Sequence, residues 1–144
     1  KKDFSDIPVN IQVFNFIING KNFTVCNFHG ASFPGSKLDT PQRIEQSKKV
    51  KDIVGNREGE KIIVGDFNLL PETESIKIFE TGMRNLIDEF DIKKTRSSLS
   101  PYFGKSNFQR FADYTFVSTD ISVKTFQVPN IEISDHLPMI LEFS

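Results

Sequence analysis

The sequence feature that most constrains the fold is the apolar run at 61–65, Lys-Ile-Ile-Val-Gly. A strand with one face in water alternates apolar and polar residues, whereas a continuous β-branched run is typical of a strand buried on both faces. Such a strand needs a covering layer on each side. We therefore expect a central strand here, and its carboxyl end leads directly into Asp66, Phe67 and Asn68.

Two further strands are predicted before this run. Residues 11–18 and 21–28 are rich in β-branched and aromatic residues and partly alternate with polar ones. Between them lies Asn19-Gly20, the strongest short sequence signal for a tight hairpin. The two segments are therefore expected to pair in antiparallel fashion.

Helices are predicted on either side of the central strand. Thr40 is suited to cap a helix that has Pro41 at its first position and ends near Gly55. Residues 72–82 predict a second helix, and 84–90 fit either a short strand or a helix. A long polar loop is expected at 91–110, and further strands at 112–117, 121–128 and 137–143. These elements predict an α/β fold with a mixed, mostly antiparallel sheet and helices on one face.

Composition limits the functional classes. The formal net charge of −1 gives no global attraction for nucleic acid, so such binding would need a local basic patch. The single cysteine, Cys26, excludes an internal disulfide and a cysteine-based zinc site, and is expected in the core of a protein from a reducing, cytoplasmic compartment. No run approaches the ~20 apolar residues of a membrane span. The first residues lack a signal-peptide pattern and an initiating Met, as in a chain that begins inside a longer protein.

Polar residues with catalytic chemistry follow the predicted central strand. Asp66 and Asn68 are two positions apart, so in extended backbone their side chains point the same way. A carboxylate beside an amide can orient a water molecule and hydrogen-bond a phosphoryl oxygen. The alternative interpretation is an Asx turn that closes the strand.

A second pair, Asp135 and His136, precedes the last predicted strand. The carboxylate suits a hard cation, and the imidazole can accept or donate a proton near neutral pH. Adjacent side chains of extended backbone point apart, so the two are expected to serve different partners. The alternative is a capped turn with a surface histidine.

Asp113 and His29 complete the set of candidates. Asp113 begins a strand predicted to be buried, where a carboxylate needs a partner, and histidine suits because a carboxylate fixes its tautomer and orientation. An exposed position or an ion pair with Arg110 is the alternative. His29 ends the second strand, where a structural role is the alternative. Since α/β folds form ligand sites at strand ends, we expect all these groups to share one site.

The segments that carry these residues resemble those of the endonuclease/exonuclease/phosphatase superfamily, which includes exonuclease III, deoxyribonuclease I, inositol polyphosphate 5-phosphatases and neutral sphingomyelinases. The matching segments follow the family order and are Asn27-Phe28-His29, Gly65-Asp66-Phe67-Asn68, Ala112-Asp113-Tyr114-Thr115-Phe116-Val117-Ser118 and Ser134-Asp135-His136-Leu137-Pro138. The stretch 34–46 also resembles small bacterial members. The resemblance implies the deoxyribonuclease I-like fold, a four-layered α/β sandwich of two similar halves.

The resemblance implies a role for each matching residue. His136 would orient or activate the attacking water, or contact the scissile phosphate, and Asp113 would be its carboxylate partner. Asp135 would bind the metal, Mg²⁺ or Mn²⁺. His29 would lie near the phosphate or the leaving group.

The remaining matching residues are expected to touch the substrate. Asp66 and Asn68 correspond to the family pair that positions the water, the leaving group and a phosphoryl oxygen. Asn27 belongs to the first matching segment and is expected to bind substrate. Arg110, from the polar loop, is expected to do the same.

One part of the family pattern is missing. In the family a metal-binding Glu comes from the first half of the fold, and nothing before Ile11 provides a strand–loop–Glu pattern. Glu72 and Glu74 lie at a predicted helix start, where the helix dipole favours acidic residues, so they are not substitutes. Residues 1–144 are therefore expected to be a single partial domain, the C-terminal half. A missing N-terminal half or a second copy would cover the apolar sheet face.

The expected activity is metal-dependent hydrolysis of a phosphate ester, with a phosphodiester favoured. Basic and aromatic residues in the loop favour nucleic acid, because cations bind phosphates and rings stack on bases: Lys93, Lys94, Arg96, Lys105 and Arg110, with Tyr102, Phe103 and Phe108. A solvated loop is the alternative. The alternative substrate is a small-molecule or lipid phosphate, and the alternative to an enzyme is an inactive half-domain that acts as a binding or scaffold module.

Overall fold

The computed structural model describes residues 10–144. It contains seven strands and three helices in this range: β1 (Asn10–Ile18), β2 (Lys21–His29), α1 (Pro41–Gly55), β3 (Glu60–Asp66), α2 (Glu74–Glu80), β4 (Met83–Asn85), α3 (Leu86–Glu89), β5 (Asp113–Ser118), β6 (Val123–Gln127) and β7 (Ile140–Phe143). The expectations about the first nine residues, on the signal peptide and the missing Glu pattern, lie outside the described part of the chain.

Local chemistry explains the β1–β2 hairpin and the start of α1. Asn19 and Gly20 both have positive φ, 51° and 79°, as a two-residue turn with the right twist requires. The Thr40 hydroxyl accepts a hydrogen bond from the Arg43 amide at 3.1 Å, and Pro41 follows at the first helical position. The predicted hairpin and helix cap are thus both confirmed.

Five of the strands form one sheet in the order β1-β2-β3-β5-β4. The β2–β3 pair is parallel, and the β1–β2, β3–β5 and β4–β5 pairs are antiparallel. The prediction of a mixed, mostly antiparallel sheet is therefore confirmed. The central position of β3 explains its continuous apolar sequence.

One face of this sheet, which we call the helix face, presents Cys26, Phe28, Ile63, Tyr114 and Phe116. These residues share a face because they are register partners or alternate along their strands. Phe79 of α2 lies against this face, with its ring centroid 5.2 Å from that of Phe116. Helix α1 packs beside α2, where the Lys51 ammonium donates to the carbonyls of Ile78 and Thr81.

The opposite face, which we call the hairpin face, presents Phe14, Phe23, His29, Asp66 and Asp113. Strands β6 and β7 form a separate two-stranded sheet that covers part of it. The ring of Phe143 in β7 lies 5.3 Å from that of Phe23. At the β1 edge, coverage ends, and the Phe14 side chain is 56% exposed.

The structure refines three expectations. Segment 84–90 contains both alternatives, since β4 ends at Asn85 and the Asn85 side chain caps α3 by accepting from the Ile87 amide at 3.1 Å. The last two strands form a sheet of their own, and within residues 10–144 they pair only with each other. Cys26 is fully buried, as expected. The described helices include none that is long and apolar enough to span a bilayer.

Candidate active site

Strand register aligns three candidate residues on the hairpin face. His29 of β2 is paired with Asp66 of β3, and Asp66 is paired with Asp113 of β5. Register partners on neighbouring strands project to the same face, so the three side chains form one row. The His29 Nε2 atom lies 4.0 Å from Asp66 Oδ2. The strand ends therefore converge as the sequence indicated.

A glycine and a tight turn position Asp66. Gly65 has a φ of 136°, and a Cβ there would meet the Phe28 carbonyl oxygen at 2.1 Å. Only glycine permits this close approach of β2 and β3. After Asp66 the chain turns through Asn68, whose φ is 55° and whose amide donates to Asp66 Oδ1 at 2.9 Å. This bond is the Asx turn considered as an alternative, and it fixes the carboxylate in the site.

His136 comes from the segment before β7, which is tied to the long loop at 91–110. The Leu137 amide donates to the Thr95 carbonyl at 2.8 Å. The buried Thr95 hydroxyl also accepts from the amides of Ala112 and Asp113, both at 3.1 Å. Thr95 thus joins the His136 segment to the start of β5. Thr95 is not among the site residues predicted from the sequence, since nothing marks one threonine in a polar loop.

His136 and Asp113 form the central contact of the site. The His136 Nδ1 atom lies 2.9 Å from each carboxylate oxygen of Asp113. A proton on Nδ1 can be donated to this carboxylate, which leaves Nε2 facing outward as the atom able to accept a proton. Nε2 lies 3.7 Å from Asp66 Oδ2 and 3.7 Å from Asp135 Oδ2. It therefore faces two further carboxylates.

Electrostatics within this cluster shift two pKa values. The hydrogen bond from His136 to Asp113 raises the pKa of His136 above its ordinary value, and the Asp113 and Asp66 charges act in the same direction. Burial raises the pKa of Asp66, and the nearby Asp113 carboxylate raises it further, although His136 opposes the change. Each group favours its protonated form more than it would in water.

The donor set fits a hard divalent cation. Ligand atoms of Asp66, Asp113 and His136 all lie within 4.8 Å of one another. Asp113 is already bonded to His136 through both oxygens, whereas Asp66 Oδ2 lies 3.7 Å from His136 Nε2 and is the freer carboxylate oxygen of this group. Asp135 lies outside the group of three, although its Oδ2 is also 3.7 Å from His136 Nε2. Mg²⁺ is commonly held by one or two carboxylates and keeps several waters, so a site with few protein oxygens suits it.

Asp135 has a second partner, Arg96. The guanidinium Nη1 donates to Asp135 Oδ2 at 2.8 Å, and a backbone bridge pairs Arg96 with His136. The Arg96 side chain is only 14% exposed. From the sequence, Arg96 is expected in a basic loop that faces nucleic acid. Its position beside Asp135 shows that this cation also balances the acidic cluster.

Asn68 and Lys37 form a buried pair next to the cluster. The Asn68 side chain is 2% exposed, donates to the Gly30 carbonyl at 3.1 Å and accepts from the Lys37 ammonium. Lys37 also donates to the Ser32 carbonyl at 2.9 Å. Burial lowers the pKa of Lys37 to about 8, against the opposing attraction of Asp66. Lys37 is not among the site residues predicted from the sequence, because a lysine in a Gly- and Pro-containing loop is usually exposed.

The other predicted residues lie further out. His29 is 67% exposed, and Asn27 is exposed on the same face of β2. Arg110 is exposed, while its backbone carbonyl accepts hydrogen bonds from the amides of Thr95 and Arg96. The structure therefore brings His29 to the edge of the cluster and places the Arg110 side chain at the surface. Glu74 lies in the first turn of α2, in line with its rejection as a metal ligand.

Comparison with models of protein families gives no match, and neither does comparison with curated proteins. Solved structures match across most of the chain. The mannosyl-6-phosphatase of Bacteroides thetaiotaomicron aligns over 88% of this chain with 21% identity and a TM-score of 0.64. The human Nocturnin catalytic domain with bound sulfate aligns over 93%, with 18% identity and a TM-score of 0.62. D. rerio TDP2 complexed with a single-strand DNA product aligns over 98%, with 15% identity and a TM-score of 0.71.

The Bacteroides thetaiotaomicron structures also include one described as an endonuclease/exonuclease/phosphatase family protein, which aligns over 92% of this chain with 21% identity and a TM-score of 0.66. The chain has the endonuclease/exonuclease/phosphatase fold. The fold predicted from the sequence is thereby confirmed. At these identities the likeness concerns the fold of the chain and not its substrate.

Alignment lengths show how much of the endonuclease/exonuclease/phosphatase fold is present. This chain covers 52% of the mannosyl-6-phosphatase, 51% of the Nocturnin domain and 64% of TDP2. It thus spans about half the length of most structures that it matches. The five-stranded sheet, its helices and the carboxylate–histidine cluster all lie within that half.

Proposed function

We propose that the protein hydrolyses a phosphate ester with the help of Mg²⁺ or Mn²⁺, and that a phosphodiester is the favoured substrate. The observation that carries this proposal is the contact of His136 Nδ1 with Asp113, which directs Nε2 toward the carboxylates of Asp66 and Asp135. A proton acceptor and a pair of hard-cation ligands on one sheet edge are the parts that hydrolysis of a phosphate ester needs.

Each residue of the cluster has a distinct task. His136 Nε2 orients the attacking water and accepts its proton, while Asp113 holds the imidazole and stabilises its protonated form. Asp66 and Asp135 hold the metal, which when bound neutralises charge on the phosphoryl group. Arg96, paired with Asp135, keeps that carboxylate in place. His29 and Asn27 contact the phosphate or the leaving group, and Arg110 contacts substrate from the loop. The buried Asn68 side chain supports the site by accepting from the Lys37 ammonium.

The direct test is hydrolysis of bis(p-nitrophenyl) phosphate by the full-length protein. We expect activity that needs Mg²⁺ or Mn²⁺, stops with EDTA, and falls at least ~100-fold in Asp66→Asn and Asp135→Asn, as is typical when a catalytic electrostatic group is removed. Asp120→Asn, at an exposed turn after β5, is the matched control. Activity that persists in EDTA, or in both site variants, would refute the metal-dependent assignment.

We further propose that residues 1–144 form the C-terminal half of an endonuclease/exonuclease/phosphatase domain. The exposed Phe14 and Ile18 on the hairpin face support this, since a covering half or a second copy would bury them. The metal-binding Glu implied by the family pattern would come from that first half. Mass measurement in solution tests the idea, because a stable monomer of residues 1–144 alone would contradict it.

Nucleic acid is the first substrate candidate, because the related TDP2 structure is complexed with a single-strand DNA product. In this chain the long loop carries Tyr102 beneath the Lys105 ammonium and a Phe103–Phe108 ring pair at 5.4 Å. Cations beside aromatic rings suit a single strand of nucleic acid, because the cations bind its phosphates and the rings stack on its bases. Cleavage of single-stranded DNA that weakens steeply with salt would support this candidate, and flat salt dependence would oppose it.

A small-molecule phosphate is the second candidate, in line with the related mannosyl-6-phosphatase. The observation that favours it is a pocket between the loops at 32–37 and 96–109, next to the cluster. A non-catalytic binding module is the remaining alternative. Calorimetric titration of Mg²⁺ separates it from an enzyme, because a scaffold without a site would bind no metal specifically.

A further inference from the structure

Arg96 projects to the same side of the site as His136. The two residues pair through an isolated antiparallel β-bridge, which joins the long polar loop to the segment before β7. Directly opposite residues of such a pair present their side chains to one face, so the guanidinium lies beside the imidazole. Only 14% of the Arg96 side chain is exposed, although it belongs to a polar loop. Its position is therefore set by the fold.

One carboxylate oxygen connects the guanidinium with the imidazole. Asp135 Oδ2 accepts from Arg96 Nη1 at 2.8 Å and lies 3.7 Å from His136 Nε2. Since both distances end on this oxygen, the guanidinium and Nε2 can reach one phosphoryl group and its attacking water, whose reacting atoms lie roughly 3–3.5 Å apart. Arg96 is therefore placed to act on the same phosphate as His136.

The ion pair with Asp135 leaves most of the Arg96 guanidinium available. A guanidinium carries five N–H donors in a planar fork, and within residues 10–144 the bond to Asp135 is the one hydrogen bond that this side chain makes. Arg96 also lines a pocket of about 570 Å³ between the loops at 32–37 and 96–109. The unused donors therefore border a space that a ligand can enter.

The charge balance of the site requires such a donor. The cluster holds three carboxylates, so a divalent metal would leave negative charge that repels an anionic phosphate. Lys37, the other cation that lines the pocket, already donates to the Ser32 carbonyl and to the buried Asn68 side chain. Arg96 is thus the cation with the most donors left for a phosphoryl oxygen.

The Arg96 charge already acts on two groups of the cluster. Burial raises the pKa of Asp66, and the hydrogen bond to Asp113 raises the pKa of His136, whereas the Arg96 guanidinium opposes both shifts. Coulomb interactions weaken with distance, so this opposition agrees with a guanidinium that lies close to both groups. The same field would act on negative charge that develops between them.

We propose that Arg96 is a catalytic residue, whose guanidinium donates to a non-bridging phosphoryl oxygen and stabilises the negative charge that develops there in the transition state. In this step the water oxygen bonds to phosphorus, and the water proton passes to His136 Nε2. The leaving oxygen departs with the electron pair of the broken P–O bond. Asp135 holds the guanidinium in place. The inference rests on the proposed phosphate-ester hydrolysis and adds a residue that acts on the phosphate directly.

The first test is hydrolysis of bis(p-nitrophenyl) phosphate by full-length Arg96→Met over a range of Mg²⁺ concentrations, with thermal unfolding measured on the same sample. At saturating Mg²⁺ we expect kcat to fall about 100-fold or more, and KM to change far less, because the lost contact acts in the transition state. If Arg96 served only to hold a metal-binding Asp135, excess Mg²⁺ would restore kcat, and that result would overturn the inference. Arg84→Met, which breaks an ion pair with Glu89 outside the cluster, is the matched control and should keep the kcat of the wild type.

A binding measurement tests the inference without turnover. Orthovanadate can adopt the five-coordinate geometry of the transition state, whereas inorganic phosphate does not, so it gains more from groups that act in the transition state. In calorimetry of the full-length protein with Mg²⁺, Arg96→Met should weaken orthovanadate at least ~10-fold and inorganic phosphate by less. Wild type that binds orthovanadate no more tightly than Arg96→Met would overturn the inference.

Arg96→Lys serves as the second variant if Arg96→Met does not fold. An ammonium keeps the charge but lacks the planar fork, so the same losses should appear in smaller measure, at about 10-fold in kcat. Arg96→Lys with the kcat and orthovanadate affinity of the wild type would overturn the inference. Failure of the proposed hydrolysis would differ, since the wild type itself would then be inactive, and orthovanadate binding would still decide the role of Arg96.

Discussion

The helix face and the hairpin face of the five-stranded sheet are built from the same strands but are covered differently. On the helix face, Phe28, Phe67, Phe79 and Phe116 form a fully buried aromatic cluster with ring centroids 5.1–6.4 Å apart. On the hairpin face, a two-stranded sheet covers only part of the surface and leaves room for a row of ionisable groups. The comparison shows that packing is concentrated on one face and chemistry on the other.

The largest expected effect on stability is on the helix face. Phe79→Ala removes a fully buried ring that contacts three others, so it should lower the free energy of unfolding by about 3–5 kcal/mol. Urea denaturation measures this change. A loss below about 1 kcal/mol would mean that the helix face is not the main source of stability.

On the hairpin face, Asp113→Asn should affect chemistry more than stability. Its hydrogen bond to His136 is the largest cause of the raised pKa of that histidine. Neutral imidazole forms only above this pKa, so the acid limb of the wild-type pH–rate profile should lie above pH 6.5. In the variant we expect that limb to move to lower pH and kcat to fall about 100-fold. If the acid limb of the variant stays in place, Asp113 does not set the pKa of His136 that governs the rate.

Asp66→Asn is expected to raise the free energy of unfolding, by less than Phe79→Ala lowers it. The raised pKa of Asp66 means that the folded protein holds this proton more tightly than the unfolded chain does. The associated stability is therefore present below the ordinary pKa of 3.8 and is lost as the pH rises through the folded pKa. At pH 7 without metal, the variant should be more stable by about 1 kcal/mol although inactive. A less stable variant would show that the charged carboxylate is well paired.

For residues 1–144 alone, the smallest effect on stability is expected for Phe14→Ser, at the uncovered edge of the hairpin face. In residues 1–144 alone, this exposed ring should contribute within about 0.5 kcal/mol to the free energy of unfolding. In a full-length protein whose other half buries Phe14, Phe14→Ser should lower the free energy of unfolding by more than about 2 kcal/mol. Equal costs in both would argue against a covering half. Thermal unfolding of the two proteins gives the comparison.

The two faces also differ in how far the sequence predicts them. The central strand, the hairpin at Asn19-Gly20 and the cap at Thr40 follow from local chemistry that is visible in a few adjacent residues. The convergence of His29, Asp66 and Asp113 could be inferred from strand ends. Their alignment in one row depends on register, which a single sequence does not specify.

Other parts of the site depend on contacts between distant segments. Thr95 joins the long loop to β5 and to the His136 segment, and Gln109 joins that loop to residues 35 and 36. Lys37 is buried by the same assembly of loops. No periodicity or motif marks such residues, because their environment is created by loops that meet only in the folded chain. The separate β6–β7 sheet was missed for the same reason.

The central claim is that the hairpin face carries a phosphate-ester-hydrolysing site built around His136. Its most direct test is metal-dependent hydrolysis by the full-length His136→Ala protein, with thermal unfolding measured on the same sample and His29→Ala as the matched histidine variant. We expect kcat to fall about 1000-fold or more in His136→Ala, with an unfolding temperature close to that of the wild type, and a smaller loss in His29→Ala. A well-folded His136→Ala protein with activity near that of the wild type would contradict the account.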